Sequence, residues 1–350
     1  NKIIGYSPIL PIPTRYPSRG SSYSSYALYF NWIWDLNLKL TINSGLRITS
    51  TILNGEWKEF YNINSLLSTV NLDSEALTGT IAVTYRPNKK IQWNAIFSNG
   101  FRNPNIDDVG KIRENRGSLI VPNEYIFPEY AYNFELGITK YFQTPKNYLS
   151  ARGFTTLISR HIGRTNYMIF TDETTPSLNT ILYNGYEVIT LANDNLGNRY
   201  LLGASLDGNL TLLNKLSVRG DISIINGIND TQYGPLPSIS PVFGKITLLY
   251  QKESWFTSLS YQFSGSKNPL KYSKGGEDGL EETPVVSEQL ELYAGTPAWS
   301  EVSVLTQYSW NKNIWVQFGI DNIFDLHYRS FASGISAPGR NLKLGVNIRL

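Results

Sequence analysis

The closing segment NLKLGVNIRL, Asn341 to Leu350, alternates without a break. Leu342, Leu344, Val346, Ile348 and Leu350 fall on one side, and Asn341, Lys343, Gly345, Asn347 and Arg349 on the other. Successive side chains of a strand point to opposite faces, so a period of two predicts a β-strand with one apolar and one polar face. The same reading holds for Leu202–Leu212 and Leu216–Ile224. It extends to Tyr26–Trp34, Leu38–Ile52, Leu77–Arg86, Ile91–Arg102, Tyr132–Tyr141, Tyr148–Arg160, Phe243–Tyr250, Trp255–Gly265, Glu301–Trp310 and Ile314–Phe324. About 13 strands result, most near the ~9–11 residues that a tilted strand needs to cross a bilayer.

The connections between these strands alternate in length. Asp35–Asn37, Pro87–Lys90, Gln143–Asn147, Asn214–Lys215, Lys252–Ser254 and Asn311–Asn313 are short, polar and turn-like. Asn54–Ala76, Asn103–Ala131, Ile162–Arg199, Asn226–Pro241, Ser266–Ala298 and Asp325–Gly339 are long. Short turns at one end and long loops at the other are the pattern of an outer-membrane barrel, with turns in the periplasm and loops outside the cell. A soluble sandwich or propeller also shows repeated short strands but does not need that one-sided arrangement. Trp32, Trp34, Tyr85, Trp93, Tyr141, Tyr148, Tyr250, Trp255, Tyr308 and Trp310 lie close to the short turns, where an aromatic girdle at the headgroup level is expected. Leu344, Val346 and Ile348 are expected to face lipid near mid-membrane.

Composition excludes several alternatives. No apolar run among the 350 residues approaches the ~20 that a membrane-spanning helix requires. A formal net charge of +3, evenly spread, argues against a nucleic-acid partner. The absence of Cys removes disulfides and thiolate metal sites and fits an oxidising compartment. Asn1–Leu10 has none of the features of a signal peptide. Residues 1–21, with Pro8, Pro11, Pro13 and Pro17, read as the end of an outside loop, and residues 22–350 as barrel. Because single-chain bacterial barrels have even strand numbers, an odd set of about 13 predicts a barrel of which other strands lie elsewhere.

Four segments resemble the TonB-dependent receptor family. They are FRNPNIDD (Phe101–Asp108), PNEYIFPEYAYNFELGITKYF (Pro122–Phe142), PLPSISPVFGKITLLYQ (Pro235–Gln251) and GIDNIFDLHYRSFASGISAPGRNLKLGVNIRL (Gly319–Leu350). The last departs from the family pattern at its end, where Leu350 stands for the usual aromatic. The resemblance implies an all-β, antiparallel transmembrane barrel of 22 strands closed by an N-terminal plug, of which this chain supplies the C-terminal strands. It implies active import of a scarce, large nutrient across the outer membrane of a Gram-negative bacterium, a ferric siderophore or other metal chelate foremost. Implied partners are the plug and early strands, a TonB-type energy-transducing complex acting through them, membrane lipid and lipopolysaccharide. An oligosaccharide or peptide importer with a surface lipoprotein, or a non-transporting structural barrel, stays open beside it.

No motif argues for an enzyme or a bound cofactor. The two His, His161 and His327, sit in different loops, so a zinc site or a Ser-His-Asp arrangement has little to build on. Each reads as an ordinary loop residue, and haem ligation by one of them is the sharper alternative. Glu277, Asp278, Glu281 and Glu282 form an acidic run that reads as a solvated loop or as oxygen donors for calcium. Arg102, Arg113, Arg116, Arg160 and Arg164 are expected at the outer mouth, where guanidinium groups suit carboxylates, phosphates or anionic chelates. Tyr125, Tyr130 and Tyr167 could stack on a planar ligand. The candidate substrate-binding set is therefore Arg102, Arg113, Arg116, Tyr125, Arg160, His161, Arg164 and Tyr167. Pairing with local Asp and Glu, or with lipopolysaccharide phosphates, is the alternative role for the arginines.

Overall fold

The computed structural model describes residues 16–57, 69–115, 117–168, 179–183, 185–228, 233–274 and 276–349. Thirteen antiparallel strands form one continuous sheet in chain order. They are β1 (Ser21–Asn37), β2 (Leu40–Glu56), β3 (Thr69–Asn88), β4 (Ile91–Arg102), β5 (Glu129–Tyr141), β6 (Tyr148–Ser159) and β7 (Arg199–Leu213). β8 (Leu216–Ile228), β9 (Phe243–Lys252), β10 (Trp255–Ser264), β11 (Trp299–Ser309), β12 (Ile314–Asp321) and β13 (Asn341–Ile348) complete it. Every segment expected from alternation is a strand of this sheet. β1 pairs only with β2 and β13 only with β12, so both sheet edges are open among the described residues.

The register keeps the apolar positions of neighbouring strands on one face. Leu206 on β7 lies between Ala151 on β6 and Ile222 on β8. Gly220, Ile246, Tyr261 and Val302 align across β8 to β11. That face is bare: Phe30, Leu46, Ile81, Leu136, Ile246 and Leu344 are all exposed. Soluble monomers rarely show apolar patches beyond a few hundred Å², so hydrocarbon is the solvent that this face fits. The opposite face carries the hydroxyls and charges, including Thr139 bonded to Ser150, Thr247 to Ser260, Arg152 paired with Asp207 at 3.0 Å and Lys343 paired with Asp321.

Short turns hold because Asn side chains cap them. The Asn37, Asn88 and Asn311 Oδ1 atoms each accept a backbone N–H two residues on, at 2.8 Å. Such Asx turns let two residues reverse the chain. Aromatics gather beside these turns, with Trp32 stacked on Trp34 at 5.4 Å and Trp255 tilted against Tyr308 at 4.8 Å. Two members of the expected girdle belong elsewhere. Tyr141 and Tyr148 pair with each other one step out of phase with Ile138 and Leu149, so they point to the polar face. The Tyr141 hydroxyl donates to Gln92 Oε1 there.

The long connections are more ordered than their sequence suggests. β2 and β3 continue far beyond a bilayer's needs, until Glu56 faces Thr69, so much of the 54–76 loop is strand. Alternation persists through Leu53, Val70 and Leu72, but on polar ground that hid it. The 103–131 and 162–199 loops fold together. Strands Arg113–Asn115, Ser118–Ile120, Ile162–Asn166, Thr180–Tyr183 and Tyr186–Asn195 build a second sheet at this end. Buried residues of the whole loop end form two packed clusters, one around Trp57, Val70, Val109 and Ile126, the other around Leu119, Val121 and Val188. The driest hydrophobic packing thus lies in the loop end, while the membrane sheet leaves its apolar face outward.

Candidate functional site

Two assemblies stand at the long-loop end. The first is the small sheet and the short helix α1 (Ile106–Val109). Asn105 caps α1, accepting from the Asp107 and Asp108 N–H groups, while Asp108 Oδ2 accepts the Asn105 N–H in return. Arg102 Nη2 then reaches both Asp108 carboxylate oxygens, at 2.7 and 2.8 Å. Arg102 therefore clamps the helix onto the end of β4, the local-pairing role, and its carboxylate partner is buried.

His161 is held in a similar way. Its Nδ1 lies 2.9 Å from Glu129 Oε2, which also accepts the Ile162 N–H at 2.7 Å. A largely buried imidazole tied to a carboxylate by one nitrogen is a structural fastener between β5 and the 162–199 loop. Arg160 adopts a left-handed backbone, φ 55°, and lays its guanidinium over the Phe127 ring at 5.4 Å. Arg164 sits on Ile162–Asn166, opposite Asn193 in the register. Tyr125 is exposed, Tyr167 is half-buried, and Asn123 links them: its Oδ1 accepts the Tyr125 N–H at 3.0 Å and lies 3.5 Å from the Tyr167 hydroxyl. Burial pushes the Tyr167 phenol up. Arg113 is exposed on its short strand. Arg116 lies outside the described residues.

The described residues of this set lie in one loop assembly but do not converge as one cluster. Arg102 and His161 are engaged in holding it together, which leaves Arg113, Tyr125 and Arg160 as its outward-facing members. For His161, Nδ1 is committed to Glu129 and the side chain is largely buried, which fixes the orientation of the ring.

The second assembly escaped sequence reasoning. It joins residues 233–241, 266–298 and 322–340. At its centre Lys267 and Asp278 form an ion pair of 3.1 Å with side chains 4% and 1% exposed. Lys267 Nζ also donates to the Ile239 carbonyl at 2.8 Å and sits 3.9 Å from the Phe331 ring centroid. Asp278 Oδ1 accepts the Ser238 N–H at 2.7 Å. Burial pulls the Lys267 ammonium below the usual lysine range, and the Asp278 carboxylate opposes that shift. The acidic run is thus no uniformly solvated loop: Asp278 is a buried anchor, because a lysine eleven residues earlier compensates its charge. No group of three or more metal-ligating side chains occurs among the described residues.

Beside this pair Trp299 stacks on Tyr328 with ring centroids 4.2 Å apart. The Tyr328 hydroxyl donates to Glu301 Oε2 at 2.7 Å. Burial, together with that carboxylate, pushes the Tyr328 phenol up to about 12. Beside the acidic run, the signal available in sequence was HYRS, His327 to Ser330, a cluster of polar and ring-bearing residues inside a long loop.

Comparison with known proteins places this architecture. The family model described as "TonB dependent receptor-like, beta-barrel" matches residues 2–323. The chain belongs to the TonB-dependent receptor β-barrel family. Members of this outer-membrane family are transporters rather than enzymes. Among solved structures the chain is similar to the copper transporter OprC, with a TM-score of 0.72 and 14% identity over 94% of this chain and 50% of that one. It is similar to a mutant of the ferric enterobactin receptor PfeA from Pseudomonas aeruginosa, with a TM-score of 0.67 and 14% identity over 94% and 54%. It is also similar to the Serratia marcescens hemophore receptor HasR, with a TM-score of 0.66 and 15% identity over 94% and 51%. The chain spans about half the length of these structures. At such identities the likeness concerns the fold. A search of curated protein sequences finds no match.

Proposed function

We propose that this TonB-dependent receptor barrel takes part in the energy-coupled import of a scarce, large nutrient, a ferric siderophore or other metal chelate foremost. The observation that carries this reading is the pairing of the family's barrel sheet with long loops that, among the described residues, fold into packed assemblies at one end. Loops built to bind stand outside the cell in such a barrel, and the short Asx-capped turns then lie in the periplasm. The ligands named for OprC, PfeA and HasR are copper, ferric enterobactin and a haem-bearing hemophore, so the neighbours support a metal-containing cargo without choosing one.

The open edges of β1 and β13 support a second element of the proposal. Unpaired backbone groups in hydrocarbon each cost several kcal/mol, so these edges pair with further strands, and a plug fills the polar side of the closed barrel. The energy-transducing complex engages through that plug portion.

Arg113, Tyr125, Arg160, Arg164 and Tyr167 in the loop assembly, together with Arg116, are the proposed ligand-binding residues, with Arg102 and His161 positioning the assembly. Titration of the purified full protein with a panel of ferric chelates tests this. Arg113→Gln combined with Arg116→Gln should weaken binding at least about tenfold, the cost of one or two charge-assisted hydrogen bonds, with barrel assembly intact. Unchanged affinity moves the site off these loops.

A further inference from the structure

A cavity of about 400 Å³ lies where the 266–298 and 322–340 loops meet the outer end of β11. That volume falls in the range of small-molecule sites, roughly 300–1,000 Å³. Its walls are fixed by their own bonding. Tyr272 hydroxyl and Thr296 Oγ1 lie 2.6 Å apart, and the Thr296 N–H donates back to the same hydroxyl at 3.0 Å. Asn322 Nδ2 donates to the Leu326 and Pro338 carbonyls, and Ala337 N–H donates to the Tyr328 carbonyl. Arg329 Nη1 donates across the gap to the Glu282 carbonyl at 2.8 Å. The buried Lys267–Asp278 pair anchors the segment at one side, since Asp278 itself lines the cavity. A gap whose two lips are each tied internally, and to each other, persists without a ligand.

The chemistry of the wall selects an occupant. Pro284, Val285, Trp299, Leu326 and Tyr328 make it predominantly apolar, with a ring-bearing side. Into this surface the 322–340 loop brings polar groups: His327, whose Nε2 lies 3.1 Å from Ser336 Oγ and whose Nδ1 is left for a ligand, lines it together with Arg329 and Ser330. A guanidinium carries five N–H donors, and one of Arg329's is engaged among the described residues. The neighbouring carboxylates are largely spoken for, Asp278 by Lys267 and Ser238, and Glu301 by Tyr328, Ser303 and the Asn322 N–H. Among the described residues, Glu282 alone brings an acidic side chain without a hydrogen-bond partner to the wall, on the loop facing Arg329.

We infer that this cavity is a second small-molecule site, taking a planar aromatic acid whose ring packs on the apolar wall and whose anionic oxygen meets Arg329 and His327. It goes beyond the import reading: it uses different loops from Arg113 and Arg116 and stands whether or not a metal chelate is the cargo.

Three ring-matched probes test it on the full protein in lipid nanodiscs, read by ligand-observed NMR and calorimetry: 2-naphthoate, 2-naphthylmethanol and 2-naphthylmethylamine. The acid should bind saturably and at least tenfold more tightly than the alcohol or the amine. Arg329→Gln should remove that preference, and Glu282→Gln should leave or strengthen it by removing a like charge. Val285→Trp, which fills the cavity from an exposed position, should abolish binding. Arg113→Gln with Arg116→Gln should change nothing, which keeps a failure here separate from a failure of the import proposal. Equal binding of acid and alcohol, a preference for the amine lost in Glu282→Gln, or no saturable binding of any probe each overturn the inference.

Discussion

Ile222 and Ser223 are adjacent on β8, the eighth of the thirteen strands, and the register puts them on opposite faces. Ile222 lies between Leu206 and Gly244, and Ser223 between Ser205 and Phe243. Ile222 is 39% exposed at the middle of its strand, in a row with Ala151 and Leu206. Replacing each in turn by Arg adds the same side chain and the same charge at almost the same depth. On the lipid face a guanidinium near the midplane costs ~2–4 kcal/mol, which lowers the folded-to-unfolded ratio about 30-fold to about 1,000-fold. On the polar face the same group meets water and the charges of a lumen, and its cost should stay within about 0.5 kcal/mol, as for ordinary exposed substitutions. Urea titrations of the full protein refolded into phosphatidylcholine bilayers, followed by tryptophan fluorescence and by heat-modifiable gel migration, measure the difference. A lower midpoint for Ile222→Arg alone is expected. Equal losses, or a larger loss for Ser223→Arg, would refute the assignment of faces on which the whole membrane reading rests.

Gly110→Ala should loosen the first loop assembly, because a Cβ there would sit 2.3 Å from the Trp57 ring; overpacking of this kind costs ~1–3 kcal/mol, and hydrogen exchange across residues 103–131 should speed up while the membrane strands stay protected. Lys267→Met leaves Asp278 buried without its cation, a loss of about 3–5 kcal/mol for the local unit, and exchange at 233–241 and 266–298 should rise together; adding Asp278→Asn should recover part of it. The Tyr328 phenol, pushed up to about 12, contributes stability that is full below pH 10 and fades as pH rises toward 12, because the unfolded chain ionises first. A difference titration at 295 nm between the protein and Tyr328→Phe should accordingly show the missing phenol ionising near pH 12 rather than near 10.

The membrane sheet was legible because its code is local. Lipid on one side and polar groups on the other force alternation residue by residue, so Leu342 to Ile348 announced their strand without reference to any partner. Asn37, Asn88 and Asn311 marked their turns just as locally. Where a second constraint acted, the local code failed: Tyr141 and Tyr148 are aromatic and near a turn, yet the register turns them to Gln92 and the polar face, and composition alone carries no register. The loop ends were illegible for a related reason. Asp108 reads as an ordinary acidic residue until Arg102 and Asn105 close around it, and Asp278 as part of a solvated run until Lys267 and Ser238 reach it. Arg102 lies only six residues before Asp108 and Lys267 eleven before Asp278, while Ser238 is forty residues away, so these pairings depend on how the loops reverse and follow no periodicity. On the proposed reading, function is carried by the part that sequence periodicity describes least. The sheet imposes one demand, a face for lipid and a face for water, and the loops, free of that demand, hold the buried charges, the stacked rings and the cavity.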